Sequence, residues 1–149
     1  MVDALSRAHR WLRDGGCLID VRPADVIAHV AVGTPEGGWL DAGALTVQDE
    51  RRLRHAAADL ALHTVLSRRL FQLDSERAFD FFRYADSPDA MRDYVATKWR
   101  ETRVGPETHT RAVELYRAMA NGRVRLTERV GIRRLRVCRI HSRGTSPDR

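Results

Sequence analysis

Residues 123–140 contain "RVRLTERVGIRRLRV" and read as one long strand; no other segment restricts the fold as much. Val124, Leu126, Val130 and Ile132 share one parity, whereas Leu135 and Val137 have the other. Successive side chains of a strand point to opposite faces. A parity change within one strand therefore needs an extra residue, and a β-bulge is expected at 131–134. The arginines of the same strand, Arg123, Arg125, Arg129 and Arg133, can stripe one face. Single-stranded nucleic acids bind where such stripes alternate with aromatic rings. This strand carries no aromatic residue, so its arginines read as a solvated face.

The rest of the chain alternates between helical and extended patterns. Residues 2–14 have the spacing of a helix, and Gly15 sits where a left-handed cap is needed. Residues 17–21 form an apolar run broken only by Asp20, as in a strand covered on both faces. That reading makes Cys17 a small core residue. Residues 26–32 alternate, "TPEGG" is turn chemistry, and residues 39–47 can return, which together make a β-hairpin. Residues 48–70 read as the longest helix, with Leu53, Ala57, Leu60 and Thr64 as its inward stripe. Residues 78–85, "AFDFFRYA", read as a strand, and Ser87-Pro88 as the N-cap and first residue of a helix. Pro106 opens a further helix, closed by Asn121-Gly122.

The expected fold is α/β: one domain over residues 1–140, a small mixed sheet with flanking helices, and a basic tail at 141–149. The length of 149 residues suits a single core. No apolar run approaches the roughly 20 residues that cross a membrane, and the N-terminus lacks a signal pattern, so a cytoplasmic location is expected. The net charge is +6 and the pI about 10.3, and arginine supplies every basic residue except Lys98. Basicity of this kind bears on partners rather than on fold.

The stretch "ALSRAHRWLRDGGCLIDVRP" resembles the helix, Gly-Gly turn and fifth strand of class I S-adenosylmethionine-dependent methyltransferases. Leu12, Gly15 and Gly16 match a phrase of the type Leu-x-Pro-Gly-Gly, with Arg13-Asp14 in place of the segment holding the proline. "AFDFFRYADSPDAMRDYV" and "VRLTERVGIRRLRV" resemble the sixth and seventh strands of that Rossmann-like fold. The resemblance implies the second half of the fold without the first. The Gly-rich loop and ribose-binding acid of the family have no counterpart, since "GTPEGG" lies in a hairpin turn and Gly15-Gly16 follows a helix. No cofactor is therefore expected for the isolated chain. S-adenosylmethionine enters only if another chain or an upstream segment completes the domain.

Several side chains are candidates for chemistry. The resemblance places Arg22 at the tip of the first strand beside an acceptor pocket, which Trp39, Arg83, Tyr84 and Trp99 can join. His55, Asp59 and His63 share a helix face, but the two histidines are about 12 Å apart along the axis, too far for one ion. No catalytic residue is assigned. In the family the strand matching residues 17–21 has neighbours on both sides. Without the first half, Cys17, Leu18, Ile19 and Val21 are expected to line an apolar unpaired edge, which a second copy, a partner or the hairpin 26–47 covers. The leading expectation is a non-catalytic assembly or partner-binding protein. The alternatives are part of a small-molecule methyltransferase and an arginine-rich nucleic-acid binder.

Overall fold

In the computed structural model, which describes residues 1–25 and 27–138, local signals set most element ends. Helix α1 (Val2–Trp11) is followed by Gly15 in the left-handed region, at φ +70°. Strands β1 (Cys17–Pro23), β2 (His29–Thr34) and β3 (Gly38–Ala44) come next, then the short β4 (Thr46–Val47). The β2–β3 turn is the expected one: the Gly37 N–H donates to Thr34 Oγ1 at 2.8 Å, and Gly38 has φ +83°. Helix α2 (Asp49–Ser67) leads to β5 (Phe71–Ala85). Ser87 Oγ accepts from the Ala90 N–H at 3.1 Å and starts α3 (Pro88–Lys98). A two-residue β6 (Thr102–Arg103), α4 (Pro106–Arg117) and β7 (Arg123–Val137) follow. The expected tail at 141–149 lies outside the described residues.

The chain is α/β, and its main sheet is built around β7. Strand β5 pairs with β7 along one edge, from Phe71 opposite Val137 to Ala85 opposite Val124. The other edge is shared: β1 pairs with residues 130–136 and β2 with residues 123–127. Strand β3 lies beyond β2, while β4 and β6 form a separate pair. Every pairing is antiparallel, which corrects the expectation of a mixed sheet. Strands β1 and β5 do run in the same direction, but β7 returns between them and separates them.

The parity change in β7 has a different cause from the expected bulge. Its pairing with β1 runs without a register shift through 130–136, so β7 holds no extra residue. Instead the two ends of β7 bury opposite faces of the ladder. Val124 and Leu126 pack with Val30, Val32, Met91, Val95 and Leu115 under α3 and α4. Leu135 and Val137, on the other face, pack with Phe71, Leu62 and Val65 under α1 and α2. The register shift of this ladder lies in β5, between Leu73 and Ser75, where Asp74 is the extra residue.

Two further expectations change for the same reason, partial cover. Leu18 packs under α1 and α2, but Cys17 is exposed and Ile19 and Val21 are 52% and 58% exposed, so β1 is covered on one face only. In α2 the stripe containing Leu53 and Leu60 faces solvent, and Ala61, Leu62 and Val65 are buried instead. The helix needs only a narrow apolar strip to cover the end of the sheet near Leu135.

Leu135→Ala is expected to cost about 2–5 kcal/mol, because its fully buried site is held on several sides. Leu53→Ala is expected to stay within about 0.5 kcal/mol. Urea unfolding of both variants checks the contrast.

Candidate functional site

The side chains expected to share one pocket are divided among four places. Trp39 on β3 and Tyr84 on β5 come together, their ring centroids 5.6 Å apart. Arg83 lies on the opposite face of β5, its guanidinium 4.9 Å from the Phe81 ring and 5.5 Å from that of Tyr94. Trp99 lies beneath Arg51, at 5.1 Å. Arg22 stands at the far end of β1.

Around Arg22 the sheet carries a chain of ion pairs. Arg22 Nε lies 3.1 Å from Asp20 Oδ2, and Arg22 Nη2 lies 2.8 Å from Asp59 Oδ1 on α2. Arg133, opposite Asp20 in the ladder, lies 3.5 Å from the same carboxylate and donates from Nε to Glu76 at 2.6 Å. Burial would lower the Arg133 pKa. The hydrogen bond to Glu76 and the charges of Glu76 and Asp20 outweigh it and raise the value above the ordinary one. Asp20 Oδ2 and Arg22 Nη2 are buried and close in ion pairs but lack well-aligned hydrogen bonds. A cavity of about 500 Å³ opens beside them, walled by Leu5, Arg51, His55 and Leu62. Asp59 is occupied by Arg22, His55 lines this cavity, and His63 contacts Ser67 at 3.4 Å, so the three do not converge. Among the described residues no group of three or more His, Cys, Asp or Glu is placed to hold a metal ion.

The helices leave one half of each ladder face uncovered, and the two halves differ in chemistry. Beyond the α3–α4 layer lies a largely apolar half, in which Arg77 and Arg134 also take part. Ile19 and Val21 come from β1, Val130 and Ile132 from β7, and Phe79 and Phe81 from β5, the last two 44% and 40% exposed. Beyond the α1–α2 layer the other face carries rings and cations. Arg125 lies 4.4 Å from the Trp39 ring centroid and 4.8 Å from that of Phe82, and Arg123 lies 5.5 Å from that of Tyr84. Phe82 and Tyr84 are 6.5 Å apart. Ala31 and Gly33 on β2 separate β3 from β7 with little side chain, so Trp39 reaches Arg125 across them.

This second half corrects the expectation that the arginines of the last strand lack interleaved aromatics. The rings are supplied by neighbouring strands, so no scan along β7 alone finds them. The signal was present in "AFDFFRYA", where Phe82 and Tyr84 share a parity.

Comparison with protein-family models, with curated proteins and with solved structures finds no match to this chain. Among the described residues no helix is long and apolar enough to cross a membrane.

Asp20→Ala removes the carboxylate shared by Arg22 and Arg133 and is expected to destabilise by about 1–3 kcal/mol. Arg129→Ala, which breaks the exposed pair with Asp80, is expected to cost under about 1 kcal/mol. Denaturant midpoints of the two variants test the difference.

Proposed function

We propose that the chain is a non-catalytic assembly module, related to the second half of a class I methyltransferase, that joins a second copy of itself through β1. The observation that carries this reading is the open edge. Strand β1 pairs with β7 alone, and the β2–β3 hairpin continues along β7 rather than folding over β1. The backbone groups on the outer side of β1 have no strand partner among the described residues, and Cys17, Ile19 and Val21 remain accessible. Open edges of this kind recruit strands.

The edge is also self-complementary. In antiparallel pairing across a two-fold axis at Val21, Asp20 of each copy meets Arg22 of the other, and Ile19 meets Pro23. Opposite charges facing one another across a ladder favour such a register.

The relation to methyltransferases is supported by β1 and β5 flanking an antiparallel β7, as the resemblance implies for the fifth, sixth and seventh strands. The β2–β3 hairpin, which shares the β1 edge of β7, departs from that pattern. No residue inherits a cofactor-contacting role, so methyl transfer would require another chain or an upstream segment to supply the S-adenosylmethionine site.

Light scattering coupled to size-exclusion chromatography is expected to show a dimer at micromolar concentration. Val21→Lys, which sets like charges together on the axis, is expected to give a folded monomer, while Val21→Thr keeps the dimer. A monomeric wild type overturns the reading. Calorimetric titration with S-adenosylmethionine is expected to show no saturable heat.

A further inference from the structure

The ring-and-arginine half of the sheet is a surface separate from the β1 edge. Its centre is Arg125, whose guanidinium lies between Trp39 and Phe82 and whose buried Nε has no hydrogen-bond partner. Arg125 forms no ion pair with a carboxylate among the described residues. Its neighbours are only loosely held: Arg123 pairs with Asp86 at 3.4 Å and Arg129 with Asp80 at 3.2 Å, and Asp86 is 94% exposed. Exposed pairs of this kind contribute little and exchange readily for another anion. Phe82 and Tyr84 are 41% and 49% exposed, so ring surface is available beside these cations. A cavity of about 310 Å³ runs along Trp39, Arg125, Thr127 and Arg129, with Asp41 and Asp80 as acceptors on its wall.

Exposed rings, one guanidinium without a carboxylate and two in exposed, exchangeable pairs suit a ligand that carries both flat aromatic faces and a repeated negative charge. We infer that this half-face binds single-stranded nucleic acid, with bases stacked on Phe82, Tyr84 and Trp39 and phosphates on Arg123, Arg125 and Arg129. Bases within a duplex are already stacked and cannot reach the rings, so the surface selects unpaired strands. The net charge of +6 adds long-range attraction for the same ligand. An acidic protein would satisfy the arginines but leave the exposed surface of Phe82 and Tyr84 without an aromatic partner.

The test titrates the protein with labelled oligouridylate and oligothymidylate of about 12 nucleotides and with a duplex of equal length, following anisotropy and tryptophan emission. Both single strands are expected to bind at physiological salt and the duplex at least about tenfold more weakly. The uridylate and thymidylate arms separate RNA from single-stranded DNA. Binding is expected to quench Trp39, and the quench is expected to disappear in Trp39→Phe while binding persists. Phe82→Leu and Tyr84→Leu keep apolar bulk without a ring and are each expected to weaken binding about tenfold. Arg125→Ala is expected to lower the slope of log affinity against log salt by about one. Equal affinity for duplex and single strand overturns the inference, as does unchanged affinity in folded Phe82→Leu and Tyr84→Leu variants or no binding at physiological salt. Running the same titration on Val21→Lys separates this surface from the β1 edge: binding is expected to persist in that monomer.

Discussion

The backbone of β7 is bonded along both of its edges, and the other strands of the main sheet depend on that ladder. Strand β5 occupies one edge over its whole length. Strands β1 and β2 divide the other edge and meet β7 end to end, though neither bonds to the other. Removing β7 would leave β1, β5 and the β2–β3 hairpin as three disconnected pieces. It is also the last strand among the described residues, so the long-range pairings of the sheet wait for residues 123–137. Contacts between residues so distant in sequence make folding slow relative to a helical protein of this size.

A central strand of fifteen residues is longer than one pair of short helices can cover. Here α3 and α4 cover one end and α1 and α2 the other, on opposite faces of the ladder. The uncovered remainders of the two faces differ in chemistry. One half is mainly aliphatic and aromatic, with Arg77 and Arg134 among its members. The other is built from arginines inserted among rings. Both draw on β5, most of whose side chains are exposed because the strand lies at the sheet edge and beyond much of the helical cover.

Local features were legible in the sequence because their causes are local. Gly15, the "TPEGG" turn, Ser87-Pro88 and Asn121 each act within a few residues, and each falls where its chemistry predicts. The parity change in β7 was also legible, but period-two alternation names a face without naming the layer that covers it. The same gap misplaced the inward face of α2, where Leu53 and Leu60 have helical spacing yet meet no neighbour layer. Residues 71–77 escaped recognition as strand because Asp74 interrupts their alternation. The cluster of Trp39, Phe82 and Arg125 was illegible for a stronger reason: its members come from three strands, and only the sheet order makes them adjacent.

Asp74 has a reach well beyond its own position. It is one residue more than the facing strand can match, and its carboxylate is held 3.3 Å from Arg134 Nε and 2.7 Å from Arg136 Nη2. The extra residue works as a phase origin for everything that follows it in β5. Were it drawn into the ladder as an ordinary paired residue with Phe71 still opposite Val137, each later side chain of β5 would change face. Phe82 and Tyr84 would leave the arginines and turn toward the α3–α4 face, while Phe81 and Arg83 would cross the other way. Ala85, now packed against the α3–α4 core, would be displaced by a larger neighbour. The identity of both open surfaces is therefore written as a phase, and a carboxylate held between two arginines keeps the count.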